Sequence, residues 1–235
     1  MECFVIFVMA WCWFNATESK PRNVSRNYMK NTAITALLLI SFNTILYSQS
    51  KINKYYNTNF ENISEKEFND FLSKDNYRYN GFELEDQFAF ILYQRKTKGK
   101  LSAPELEELN KSLLKKGNIN NNITIIIFYP GKDNCNGMER ISTWNVFDND
   151  YLKKVTKTNS INHFWIYKSD ENLKYYHPKK VDWKKDDDQI IEKLFFKMHY
   201  PCASSAVIDK DGNYILNLGE FGKQHIWEDL KELSK

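Results

Sequence analysis

The sequence predicts an α/β fold, a mixed β-sheet flanked by helices and preceded by a mainly helical N-terminal extension. Three observations carry this. Ile123-Thr124-Ile125-Ile126-Ile127-Phe128-Tyr129 is a nearly unbroken β-branched run, the pattern of a strand buried on both faces and therefore central in its sheet. Downstream of it, strand-like and helix-like segments alternate, as they do where strands are joined by crossover helices. From Tyr200 to Gly219 the signal becomes antiparallel: an apolar strand, an Asp211-Gly212 turn, and a second strand in which Tyr214, Leu216 and Leu218 alternate with Ile215 and Asn217.

The first 48 residues differ in composition from the rest. Met29-Lys30-Asn31, the apolar run Thr32 to Tyr47 and the close on Ser48-Gln49-Ser50 have the charged start, apolar middle and small polar end of a secretory signal peptide, assigned to residues 29–49. Residues 1–28 hold a second apolar run, Cys3 to Phe14, and are read as an over-extended start upstream of Met29. Cleavage near Gln49 leaves Cys135 and Cys202 as the remaining cysteines, an even pair compatible with a disulfide in an exported protein, periplasmic or secreted.

Residues 50–121 form the expected extension. Ser64-Glu65-Lys66-Glu67 predicts a capping box, in which the Ser64 hydroxyl and the Glu67 carboxylate satisfy otherwise unpaired N–H groups, with Ile63 and Phe68 as the hydrophobic staple. Phe68, Phe71 and Leu72 then share one helical face. Phe82 to Tyr93 is apolar but ambiguous in period, because Phe88, Phe90 and Leu92 alternate inside a nearly continuous apolar run; a helix is expected. Ser102-Ala103-Pro104-Glu105 is a second capping box, followed by the stripe Leu106, Leu109 and Leu113 and by the stop signals Lys115, Lys116 and Gly117. The Asn-rich stretch 118–122 sets the expected boundary with a domain over 122–235.

In that domain the buried strand breaks at Pro130-Gly131 into a loop holding Cys135, which is expected to lead into a helix from about Gly137 to Val155. Ile161 to Tyr167 is a second strand. Leu173 to Lys185 is irregular and rich in Tyr and Lys. Asp186 can cap a helix with Gln189 three residues on, whose buried face is Ile190, Ile191, Leu194, Phe195 and Met198. The hairpin follows, with a two-residue type I′ turn expected at Asp211-Gly212, and Ile226, Trp227, Leu230 and Leu233 make a final amphipathic helix.

The Pro201 loop, the small-residue strand after it, the Asp209-Lys210-Asp211-Gly212 turn, the strand ending at Gly219 and the final helix together resemble the C-terminal half of thioredoxin-like proteins. The resemblance implies that Tyr200-Pro201 is a cis bond facing an active-site cysteine. Cys135, after Phe128-Tyr129-Pro130, matches that cysteine, and the family places it at a helix N-terminus, where the dipole and free N–H groups lower a thiol pKa. The chain departs from the family at Met138, where a second cysteine would stand. What the resemblance offers instead is Cys202, beside Pro201 and facing Cys135. The candidate site is therefore Cys135, Cys202 and Pro201, with no cofactor and no metal assigned.

Two classes of function follow. One is a thiol-disulfide redox role with a protein thiol or disulfide as partner; the other is a non-catalytic binding or structural protein in which the pair is a staple. An accessible bond of mild potential marks the first, a buried and strongly reducing one the second. A thiol peroxidase of this superfamily would carry Thr or Ser where Lys132 stands. Copper handling by Cys135, Cys202 and His199 lacks both the paired-cysteine motif and a fourth ligand. Asp209, Asp211, Asn213 and Glu220 imitate a calcium loop, but the glycine falls at 212, where a hairpin requires it. With 33 Lys and Arg against 30 Asp and Glu, net charge +3, the balance gives no argument for nucleic acid. No membrane association is expected after signal cleavage, and oligomeric state is left open.

Overall fold

A computed structural model describes residues 51–157, 161–176 and 181–234. The signal-like segments lie outside these residues. Residues 51–94, expected to be mainly helical, are mainly strand: β1 (Ile52–Tyr56), β2 (Asn62–Ile63), α1 (Glu65–Leu72), β3 (Tyr77–Glu83) and β4 (Gln87–Gln94). The strands make a sheet ordered β2-β1-β4-β3. Helix α1 starts where the capping box predicts, Ser64 N–H donating to Glu67 Oε2 at 2.9 Å and Glu67 N–H to Ser64 Oγ at 3.2 Å.

The expected helix over Phe82–Tyr93 is replaced by β4, which runs parallel to β1 and antiparallel to β3. The physical reason is cover on both faces. Phe90 meets the rings of Tyr55, Phe68 and Tyr79 on the α1 side, whereas Tyr93, of opposite parity, enters the core of a second sheet. A strand covered on both sides reads as a continuous apolar run, and periodicity alone does not separate it from a buried helix.

The second sheet contains β5 (Lys96–Lys100), β6 (Ile123–Tyr129), β7 (Ile161–Tyr167), β8 (Trp183–Lys185), β9 (Ser204–Asp209) and β10 (Asn213–Asn217), ordered β5-β10-β9-β6-β7-β8. Its helices are α2 (Ala103–Leu114), α3 (Asn149–Lys157), α4 (Ile190–Phe195) and α5 (Lys223–Leu233). Strand β6 is central as predicted, parallel to β7 and antiparallel to β9. The alternation along it divides the core. Ile126 and Phe128 meet Leu109 and Leu113 of α2 and Ile191 and Phe195 of α4, while Ile125, Ile127 and Tyr129 meet Tyr151 of α3 and Ile226 of α5. The mixed sheet flanked by helices is thus present.

The boundary expected near Asn122 does not separate two bodies. Strand β5 pairs with β10, α2 covers one face of the same sheet, and residues 51–235 form one compact unit. The hairpin also differs in detail. Tyr214 pairs with Ile208, and the loop is closed by Gly212 at φ +83 with its N–H donating to Asp209 O at 3.1 Å. Only Gly212 of the two central residues is left-handed, so the turn is a three-residue loop rather than type I′. The Asp209 carboxylate selects it by accepting the N–H groups of Asp211 and Asn213, each at 2.9 Å.

Candidate functional site

Strand β6 delivers the chain to Pro130 and Gly131, which lies at φ +115, a conformation that costs glycine little. The following Asp-Asn-Cys-Asn run folds on its own side chains. Asp133 Oδ1 accepts the N–H groups of Cys135 at 2.8 Å and Asn136 at 2.9 Å, and Asn136 Oδ1 accepts the N–H of Asp133 at 2.8 Å. Such local side-chain bonds compete with helix formation. The helix expected from Gly137 accordingly does not form there: a short 3₁₀ turn spans Asn145–Phe147 and α3 begins at Asn149. Cys135 therefore does not sit at a helix N-terminus, and no helix dipole acts on its sulfur there.

The second loop connects α4 to β9 through His199, Tyr200, Pro201 and Cys202. Among the described residues no peptide bond is cis, so Tyr200-Pro201 is trans, against expectation. Cys202 makes the reversal instead. It lies at φ +70, and Ala203 N–H donates to Pro201 O at 3.0 Å, a three-residue turn. Pro201 also accepts the N–H of Glu220 at 3.2 Å, which ties this loop to the end of the hairpin.

The two loops bring Cys135 and Cys202 together in a disulfide with the Cα atoms 5.1 Å apart, within the usual range for such a bond. Cys135 is exposed and Cys202 half-buried. The bond opens onto a cleft of about 720 Å³ whose walls include Met138, Trp144, Tyr176, Phe221, Arg95 and Arg140. Trp144 Nε1 donates to Phe221 O at 2.6 Å, and an Arg95 guanidinium N–H donates to Glu220 O at 2.6 Å, so both walls are anchored to the segment after β10.

Asp133 is the residue that sequence reasoning missed. Its Oδ2 accepts the N–H of Cys202 at 2.8 Å and faces His199 Nε2 at 3.1 Å, so the carboxylate serves both cysteine loops. Its side chain is only 12% exposed. Burial alone would raise this carboxyl; the His199 bond and the backbone N–H groups of Asn136, Cys202 and Cys135 outweigh it and hold the group below the ordinary carboxylate range. Asn136, buried beneath, donates from Nδ2 to Gly131 O at 2.8 Å and across to Cys202 O at 3.1 Å. The one signal in the sequence was the Asx-rich run around Cys135, which reads simply as a turn.

His199, three residues before Cys202, is turned to Asp133. Chemically, the arrangement sets the Cys135–Cys202 bond at the cleft, with Cys135 the more exposed of the two residues and a carboxylate fixing both backbones. Comparison of the chain with family models, with curated proteins and with solved structures gives no match.

Proposed function

We propose that this is an exported, thioredoxin-like thiol-disulfide exchange protein whose redox couple is Cys135–Cys202. The observation that carries the reading is the accessibility of the bond: Cys135 is exposed at the rim of a cleft, where a staple would be buried. The signal-type segment at 29–49 supports a periplasmic or extracellular location, in which disulfides persist. The partner class is a protein thiol.

In the oxidising direction a partner thiolate attacks Cys135 Sγ. The Cys135–Cys202 bond breaks, its electron pair leaves with Cys202 as a thiolate, and a mixed disulfide forms between Cys135 and the partner. A second thiolate of the partner then attacks its own sulfur in that mixed disulfide and expels Cys135. Two partner thiols are oxidised to a disulfide and the couple gains two electrons, the two protons passing from the partner to the two cysteines. Met138 removes the alternative of a dithiol within one short motif, so the second cysteine of the couple is supplied by the other loop.

The test is titration of residues 50–235 through glutathione buffers of graded potential, counting alkylated thiols by mass. Cys135 and Cys202 are expected to change together within the oxidoreductase range of about −120 to −270 mV. A pair that stays bridged below about −300 mV is a structural disulfide, and the non-catalytic class then stands in place of this one.

A further inference from the structure

We infer that Asp133 is a positioning residue for the Cys135–Cys202 couple: its carboxylate holds the backbones of both cysteines independently of the sulfur–sulfur bond, and so sets how strongly the disulfide is favoured. The inference rests on the reading that the pair opens and closes.

The geometry divides the carboxylate between the two loops. Oδ1 accepts from Cys135 and Asn136, and Oδ2 accepts from Cys202 and His199 Nε2. None of these four bonds involves a sulfur, so none is lost when the disulfide is reduced. Bonds to an ionised, mostly buried carboxylate are stronger than neutral ones. Once reduced, the two thiols are therefore kept facing each other rather than released onto separate mobile loops. A high effective concentration of one thiol at the other favours closure of the bond without any new contact. The charge acts in the same sense, since a carboxylate next to both cysteine backbones disfavours a thiolate at either one.

Asparagine at this position makes a selective test. Its one oxygen can still accept from the Cys135 loop, but its amide nitrogen is a donor and would face the Cys202 N–H, donor against donor. Asp133→Asn thus keeps the size of the side chain and one half of the clamp, and it removes the charge and the other half. Equilibrated in dithiothreitol buffers and read by alkylation, the variant is expected to show about a tenfold lower equilibrium constant for disulfide closure than the wild type, a rise of about 30 mV in potential. Hydrogen exchange on the reduced wild-type protein supplies a measurement that needs no variant to fold: the amides of Cys135 and Cys202 are expected to stay protected.

A folded Asp133→Asn protein with the wild-type constant overturns the inference. Cysteine amides that exchange in the reduced wild type as fast as an open loop overturn it equally. Dithiothreitol opens the bond whatever its absolute potential. A couple that resists glutathione therefore removes the redox function alone, and the difference between wild type and Asp133→Asn still decides the role of Asp133.

Discussion

His163 carries a pH dependence that its place in a strand did not announce. On β7 its Nε2 lies 2.8 Å from the Tyr151 hydroxyl, while Nδ1 has no hydrogen-bond partner among the described residues. Burial pushes the imidazole down to about 3 from its ordinary 6.5. Between those two values the unfolded chain carries a proton that the folded one excludes, so stability falls as pH drops from about 6.5 towards 3. Each unit of such a gap is worth about 1.4 kcal/mol. Urea midpoints at pH 7 and pH 4.5 should therefore differ more for the wild type than for His163→Gln, by about 2 kcal/mol after conversion; equal acid losses in both proteins would show that the imidazole is not excluding the proton. Asp133 acts in the same sense lower on the pH scale, because its lowered carboxyl contributes stability that is complete above about pH 4 and is lost as pH falls further. At this scale the cysteine pairing was legible, through the resemblance. Asp133 and Asn136 were not, because half of their bonds cross to a loop that sequence spacing does not place beside them.

Elements whose signals are local were readable, and elements whose partners are distant were not. Both capping boxes are in place, the Glu105 carboxylate accepting the Ser102 N–H at 2.8 Å as Glu67 does for Ser64. The central position of β6 followed from composition alone. Strand β4 was misread because its cover comes from α1 on one face and a second sheet beyond the other. Asp186 keeps its predicted capping role in a shifted form, since its Oδ2 accepts the Glu192 N–H at 2.9 Å at the start of α4 while Gln189 occupies the left-handed position before the helix. Helix α4 leads directly into the loop that ends at Cys202, so this cap anchors one side of the disulfide. Asp186→Ala is expected to cost about 1–2 kcal/mol, read as a lower denaturant midpoint with an unchanged slope. A midpoint within error of the wild type would mean that the packing of Ile191 and Phe195 holds α4 without its cap.

Across the whole molecule, the segment that the sequence set apart as an extension supports the site. Tyr93 places its ring 5.1 Å from that of Tyr200, Asn80 donates to His199 O at 2.6 Å, and Leu218 N–H donates to Arg95 O at 2.7 Å. These contacts hold the His199–Tyr200 side of the Cys202 loop and its neighbour after β10. Strand β5, Lys-Thr-Lys-Gly-Lys, escaped notice because it has no apolar alternation. It is an edge strand, two of whose lysines turn to acidic groups, Lys96 Nζ lying 2.7 Å from the buried Asp229 and Lys98 pairing with Glu232. A chain beginning at Asn122 therefore loses more than a spacer. It strips α2 from the face of the sheet that carries Ile126, Phe128, Ile208 and Leu216, leaving α4 as cover there, removes the fully buried Leu113, and leaves β10 as an open edge. Such a fragment is expected to bind a hydrophobic dye and to lack a cooperative unfolding transition. In the full chain, Leu113→Ala alone should cost about 2–5 kcal/mol. If residues 122–235 instead gave a monomer with native-like near-ultraviolet circular dichroism and a sharp transition, the sheet would be self-sufficient. The boundary at the Asn-rich stretch would then be real, despite the strand that crosses it.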